Sequence, residues 1–121
     1  MPRLALWQGL NFTVRRILFS GEDGVAVRDL RAFRFDNVLS SFTLSNAEDP
    51  REVTLVLFSG INYKGNFRVF RGAQAVRDLR TRGFNDVTSS FVLVDEILTN
   101  AQIRRIQRTG VLPEDVITIS Q

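Results

Sequence analysis

The strongest signal along the chain is a two-residue rhythm. "RLALW" (3–7) and "VTLVLF" (53–58) alternate along their length, "NFRVF" (66–70) does so after a glycine turn, and "SSFTL" (40–44) and "SSFVL" (89–93) repeat the pattern. Alternation at period two sends successive side chains to opposite faces, the mark of a half-buried strand. Near the C-terminus the rhythm changes. "TNAQIRRIQRTG" (99–110) offers Thr99 with Gln102 three residues on, a capping-box pattern, and closes on Gly110 after Arg104, Arg105 and Arg108. This predicts a short helix from about Asn100 to Thr109, whose narrow apolar stripe of Ile103 and Ile106 docks on the body of the molecule or on a partner. After it, "VITIS" (116–120) predicts a short strand able to extend a sheet edge of this molecule or of another.

A second, longer period lies over the first. "LALWQGLNFTVRRILF" (4–19) aligns with "LVLFSGINYKGNFRVF" (55–70), matching Leu4 with Leu55, Trp7 with Phe58, Gly9 with Gly60, Asn11 with Asn62 and Phe12 with Tyr63. "AVRDLR" then occurs at Ala26 and again at Ala75, and "DNVLSS" (36–41) is answered by "NDVTSS" (85–90). The polar loop "SNAEDPRE" joins the two units, with Pro50 and its acidic residues interrupting strand pairing. The chain thus reads as one duplicated domain over residues 1–94, with repeats at 3–45 and 53–94, followed by an extension over 95–121. Each repeat supplies four short strands and one apolar face, and two such units bury those faces most simply as two packed antiparallel sheets.

Composition narrows the chemistry. The 121 residues contain no Cys and no His, which removes disulfides, thiolate zinc sites, thiol nucleophiles and imidazole bases together. Carboxylate, amide, hydroxyl and backbone oxygens remain, a donor set suited to hard cations such as calcium. Binding is therefore expected rather than catalysis. Asp29 and Asp78, matched in the repeated "VRDL", read as loop or strand-edge residues paired with neighbouring Arg and not as a catalytic pair. The net charge is +3, and Lys64 is the single lysine among 16 basic residues. Arg stems covering strand edges account for that composition, so nucleic acid is not the expected partner. No apolar run approaches the roughly 20 residues of a membrane helix, and no signal-peptide pattern opens the chain, which sets a cytoplasmic expectation.

In the second repeat, "FSGINYKG" carries Phe58, Tyr63 and Gly65 at fixed spacing, with Ser90 downstream. The arrangement resembles the Greek key signature of the βγ-crystallin superfamily. That resemblance implies an all-β, two-sheet Greek key sandwich in which each repeat begins with a folded hairpin, the Gly takes a backbone conformation that side chains oppose, and the later Ser packs on the hairpin. The first repeat matches with Trp7, Phe12 and Ser41 but has Val14 in place of the Gly, so an opened or strained hairpin is expected there. "DNVLSS" and "NDVTSS" are similar to the calcium motif of microbial members, and the resemblance extends over about Arg3 to Val94.

The resemblance implies two Ca2+ sites built from paired loops that exchange ligands. Carried over by position, one takes the Leu10 and Val38 carbonyls, the Ser40 hydroxyl and Asp86 from the other loop. The second takes the Ile61 and Val87 carbonyls, the Ser89 hydroxyl and Asn37 crossing back. Ser41 and Ser90 are then structural, while Asp36 and Asn85 orient the loops or support the ligands from behind. Asp86 brings a full charge and Asn37 only an amide, so the two sites are expected to differ in affinity. Asn, Asp and Ser also recur where loops enter strands simply because they satisfy nearby backbone groups. The competing reading is accordingly a calcium-independent structural or interaction module, working through an Arg-bearing surface or through self-association or a protein partner at the C-terminal extension.

Overall fold

The computed structural model describes residues 1–120. Gln121, the last residue of the extension, lies outside the described residues. Eight strands form the duplicated body, four per repeat as the alternation predicts: β1 (Pro2–Gly9), β2 (Thr13–Ser20), β3 (Gly24–Val27) and β4 (Ser41–Asn46), then β5 (Thr54–Phe58), β6 (Phe67–Arg71), β7 (Gln74–Val76) and β8 (Ser90–Val94). They make two sheets, ordered β2-β1-β4-β7 and β6-β5-β8-β3. The third strand of each repeat crosses to the other repeat's sheet, where β3 pairs antiparallel with β8 and β7 with β4. Neither sheet is complete without the other repeat.

The inward faces meet in one core. Leu4, Leu6, Phe42 and Leu44 from the first sheet face Leu55, Leu57, Phe91 and Leu93 from the second. Edge-to-face ring pairs such as Phe42 with Phe70, centroids 4.8 Å apart, fill the space between. Short 3-10 turns at Leu30–Phe33 and Leu79–Arg82 sit between the third and fourth strands of their repeats. Each is capped by its matched aspartate, Asp29 or Asp78, which accepts a backbone N–H from Arg31 or Arg80 and also binds that arginine's side chain. The carboxylates paired in sequence with Arg are thus loop caps.

The outer faces differ between the sheets, and there the two-residue rhythm misled. Arg3, Arg16, Thr43 and Ser45 occupy the first sheet's outer face, as strict alternation requires. In the second sheet every residue of β5 and of β8 is buried. Val56, Phe58, Val92 and Val94 face outward into a second apolar cluster, completed by Leu98, Ile103 and Ile106 of the extension. The stretches "TLVLF" and "SFVLV" are near-continuous apolar runs, and that is the pattern of strands covered on both faces.

The cover is α1 (Asn100–Thr109), formed with the expected capping box at Thr99 and Gln102 and a left-handed Gly110 at its end. Ile103 and Ile106 dock on the chain's own second sheet, which decides between the two destinations the sequence left open. Arg104, Arg105 and Arg108 point to solvent. Thr54 ties down the start of the extension, donating to the Glu96 carbonyl at 2.8 Å and accepting from the Leu98 N–H at 3.1 Å. Lys64 and Gln107 join the far end of α1 to the β5–β6 hairpin. The chain then returns as β9 (Ile117–Thr118), shorter than "VITIS" and parallel to β3 at the sheet edge. No helix among the described residues is long and apolar enough to cross a membrane.

Burying an Ile side chain contributes roughly 1.5–3 kcal/mol, and emptying its place adds a cavity cost. Ile103→Ala is therefore expected to destabilise the whole body by about 2–4 kcal/mol in equilibrium urea denaturation. Arg104→Ala on the exposed face should change stability by less than about 0.5 kcal/mol. Equal effects of the two would show that α1 does not support the sheet.

Candidate metal centre

All four connections that the repeat motifs occupy lie at one end of the sandwich. They are the β1–β2 and β5–β6 hairpin loops and the β3–β4 and β7–β8 loops. Each hairpin is folded by its own serine. The Ser41 hydroxyl donates to the Gly9 carbonyl at 2.6 Å and accepts the Phe12 N–H at 3.0 Å. Ser90 does the same with Gly60 at 2.6 Å and Tyr63 at 3.1 Å. Aromatic pairs brace the fold, Trp7 on Phe12 at 5.2 Å and Phe58 on Tyr63 at 5.8 Å. Asn11, Phe12, Asn62 and Tyr63 all take positive φ, a conformation that costs non-glycine residues energy and persists because the serine and ring contacts hold it.

Val14 adopts the left-handed conformation with φ 69°, matching Gly65 at φ 83°. The hairpin closes as its twin does, and the β-branched residue bears the strain. Of the two outcomes expected from Val14, strain is the one observed.

The hairpins are locked to the opposite repeat. Asn11 donates its N–H to the Arg77 carbonyl at 2.8 Å and Asn62 donates to the Arg28 carbonyl at 2.8 Å. The motif loops cross in the same reciprocal way, with Asn37 N–H to the Thr88 carbonyl and Asp86 N–H to the Leu39 carbonyl, both at 3.0 Å. Asn37 and Asp86 sit at φ 56° and 58°, which Asn and Asp tolerate because their short side chains bond locally. That backbone turn brings each side chain to the other loop. The Ser40 hydroxyl donates to Asp86 Oδ1 at 3.0 Å, and the Ser89 hydroxyl donates to Asn37 Oδ1 at 3.2 Å.

The two clusters thus contain the side chains paired by position from the sequence: Ser40 with Asp86, and Ser89 with Asn37. Both serines are buried, while Asn37, Asp86 and Val87 are exposed, so each cluster opens to solvent. No donor among the described residues reaches the Val38 or Val87 carbonyl. The Leu10 carbonyl accepts the Thr13 hydroxyl at 2.6 Å, using one of its two lone pairs. Asp36 Oδ1 and Asn85 Oδ1, the first position of each motif, are buried without a hydrogen-bond partner, as is Thr88 Oγ1. Buried oxygens of this kind are rarely left unpaired. Two matched orphans on the same loops as the unengaged Val38 and Val87 carbonyls, with serine hydroxyls whose lone pairs remain open, make an oxygen set that fits a hard cation. No group of three or more carboxylates converges among the described residues, so carbonyl, hydroxyl and amide oxygens dominate that set.

Several contributors had no role assigned from the sequence. The matched Asn11 and Asn62 were visible as repeat identities, yet their locking bonds depend on which loop lies opposite. Arg15 Nη1 donates to the Arg34 carbonyl at 2.9 Å and its guanidinium lies over Phe35, and Arg68 does likewise with Arg82 and Phe84. Such stacking closes the ends of the 3-10 turns beneath the motif loops. Burial pushes the Tyr63 phenol above its ordinary pKa, with nearby Arg28 acting the other way. Its hydroxyl lies near Arg28 and Thr118 but meets neither in hydrogen-bonding geometry.

Comparison with solved structures now has a site to refer to. A domain solved for the evolution of the eye-lens βγ-crystallin fold superimposes with a TM-score of 0.66 at 24% identity, covering 78% of this chain and 87% of that one. The fold is that of the βγ-crystallins. A βγ-crystallin from an archaeon gives a TM-score of 0.56 at 18% identity over 79% of this chain and 98% of its own. A βγ-crystallin domain from Flavobacterium johnsoniae gives 0.58 at 17% over 79% and 98%. No protein-family model matches the chain, and neither does the sequence of any curated protein. About a fifth of this βγ-crystallin-fold chain lies outside each of these matches.

Two predictions follow from this loop end. Val14→Gly removes a strain of roughly 1–2 kcal/mol and adds a glycine entropy cost of about 0.5–1. Its urea midpoint should rise, while Gly65→Val, whose Cβ would lie 3.1 Å from the Gly60 nitrogen, should lower it. An unchanged or lower midpoint for Val14→Gly would contradict the strain. The second concerns acid. Hydrogen bonds from the Arg31 and Arg80 side chains hold the Asp29 and Asp78 carboxyls below their ordinary pKa. Below about pH 4 the unfolded chain binds protons first, so this stabilisation is complete above that pH and is lost as pH falls through the depressed folded values. Asp29→Asn with Asp78→Asn should flatten the fall in stability between about pH 4 and pH 2. A double variant with the wild-type slope would remove the two caps from the acid transition.

Proposed function

We propose that this chain is a calcium-binding βγ-crystallin domain with two cation sites between its crossed motif loops. The observation that supports the reading is the reciprocal exchange: Ser40 to Asp86 and Ser89 to Asn37, each bond spanning the two repeats. One site draws on Leu10, Val38, Ser40 and Asp86, and its twin on Ile61, Val87, Ser89 and Asn37. A bound calcium ion supplies charge that oxygens of both loops share. The loops, for their part, present the carbonyls on folded hairpins, keep the serines shielded from water, and hold Asn37 and Asp86 in left-handed turns that aim them across the repeat boundary.

The consequence is linkage. An ion that binds the assembled loops and not the unfolded chain stabilises the fold by about 2.7 kcal/mol at a hundredfold excess over its dissociation constant. Asp86 carries a charge and Asn37 does not, so the site holding Asp86 binds more tightly. The role is one of binding, with calcium as its ligand.

Thermal unfolding in calcium and in chelator, on the wild type and on Ser40→Arg with Ser89→Arg, tests the reading. Calcium should raise the wild-type Tm by several degrees and leave the variant unmoved, since each guanidinium takes a cation's place. Equal transitions in all four samples would sink it. Calorimetric titration should resolve two unequal sites, and Asp86→Asn should weaken the tighter one by about tenfold or more. An unchanged titration would overturn the assignment of Asp86.

A further inference from the structure

The calcium reading leaves two features of the same end of the molecule without a purpose. The first is apolar exposure. Cation binding uses only the carbonyls of Ile61 and Val87, yet both residues are 37% exposed, and Val14 on the neighbouring hairpin is 75% exposed. The second is charge. Arg31 and Arg80 are neutralised by Asp29 and Asp78, but Arg28, Arg34, Lys64, Arg77 and Arg82 stand exposed around the loops with no carboxylate partner among the described residues. The opposite end carries the reverse sign in its loops, with Glu22, Asp23, Glu48, Asp95 and Glu96. Even against Asp36 and Asp86 of the motif loops these cations leave this end positive, and a negatively charged surface would attract it in preference to the opposite end.

We propose that the motif-loop end docks on an anionic phospholipid bilayer when its two calcium sites are filled. The proposal rests on the calcium reading. Two bound divalent ions add four positive charges to an end that is already basic, and each cation open to solvent has coordination positions left for phosphate or carboxylate oxygens of lipid headgroups. The arginines supply further contacts with phosphate, and Val14, Ile61 and Val87 reach the boundary between headgroups and acyl chains, where apolar tips are stabilised. A soluble polyanion such as RNA complements the charge but offers nothing to those side chains. A bilayer complements both.

The test is cosedimentation of the full chain with phosphatidylserine-containing vesicles and with phosphatidylcholine vesicles, each in calcium and in chelator, beside calorimetric calcium titration without vesicles. Binding to the anionic vesicles in calcium alone is expected. Arg34→Asn with Arg82→Ser, side chains outside the cation clusters, should weaken it by roughly tenfold or more while the calorimetric titration is retained. Val14→Asn, at a left-handed position that Asn tolerates and outside both cation clusters, removes an apolar tip and should also weaken vesicle binding while the titration is retained. Filled calcium sites with no sedimentation, equal binding to uncharged vesicles, or binding that survives chelator would each overturn the proposal and leave the calcium reading standing. A silent calorimetric titration would instead remove the calcium reading, and this proposal with it. Short RNA that binds the protein equally in calcium and in chelator, and competes fully with the vesicles in calcium, would overturn docking in favour of a simple polyanion site.

Discussion

Two serine hydroxyls hold the loop end of this molecule in shape. Ser41 and Ser90 each bridge a hairpin carbonyl and the N–H of an aromatic residue in a left-handed conformation, so a single hydroxyl offsets a strained turn. From that clasp the rest follows in order. The folded hairpins place Asn11 and Asn62 against the other repeat, the locked hairpins fix the level of the motif loops, and the motif loops cross. Without the clasp, nothing within the hairpins would hold the Asn11 and Asn62 N–H groups against the opposite repeat. The motif's second serine builds the support on which its first serine works.

The two repeats share that loop-end chemistry and diverge in what covers their backs. The second sheet replaces polar outward residues with Val56, Phe58, Val92 and Val94 and relies on the extension to keep them dry. The extension is also bonded to the β5–β6 hairpin through Lys64 and Gln107. Residues far from the motif in sequence thereby stiffen one of the two hairpins and not the other. The asymmetry is mechanical as well as chemical: one hairpin is clamped from behind and glycine-relaxed, the other free at its back and strained at Val14.

Much of this was legible because the relevant signals are local. Strand rhythm, the capping box at Thr99 and the duplicated "SS" motifs each depend on residues a few positions apart, and each appears where it was expected. The pairing of Ser40 with Asp86 was readable only through the βγ-crystallin resemblance, which implies two loops that exchange side chains. What escaped reading depends on packing between distant segments. "TLVLF" and "SFVLV" looked like alternating strands because single-sequence rhythm does not reveal a second cover, although their continuous apolar character was the available hint. The orphaned oxygens of Asp36 and Asn85 could not be foreseen at all, since burial of a side-chain atom is decided by its neighbours in space.

The crossing of β3 and β7 has a further meaning for how such a chain is made. Half of this protein is not a smaller protein, since each sheet borrows a strand and each motif loop borrows a side chain from the other half. A single repeat released from its partner would have every interface of a subunit and none of the closure of a monomer. The loop from Ala47 to Val53 is therefore a covalent tether between two would-be subunits, replacing a concentration-dependent encounter with a fixed local one. With the tether in place, the meeting of the two halves is a step of folding rather than of dimerisation, and the two halves need not be alike.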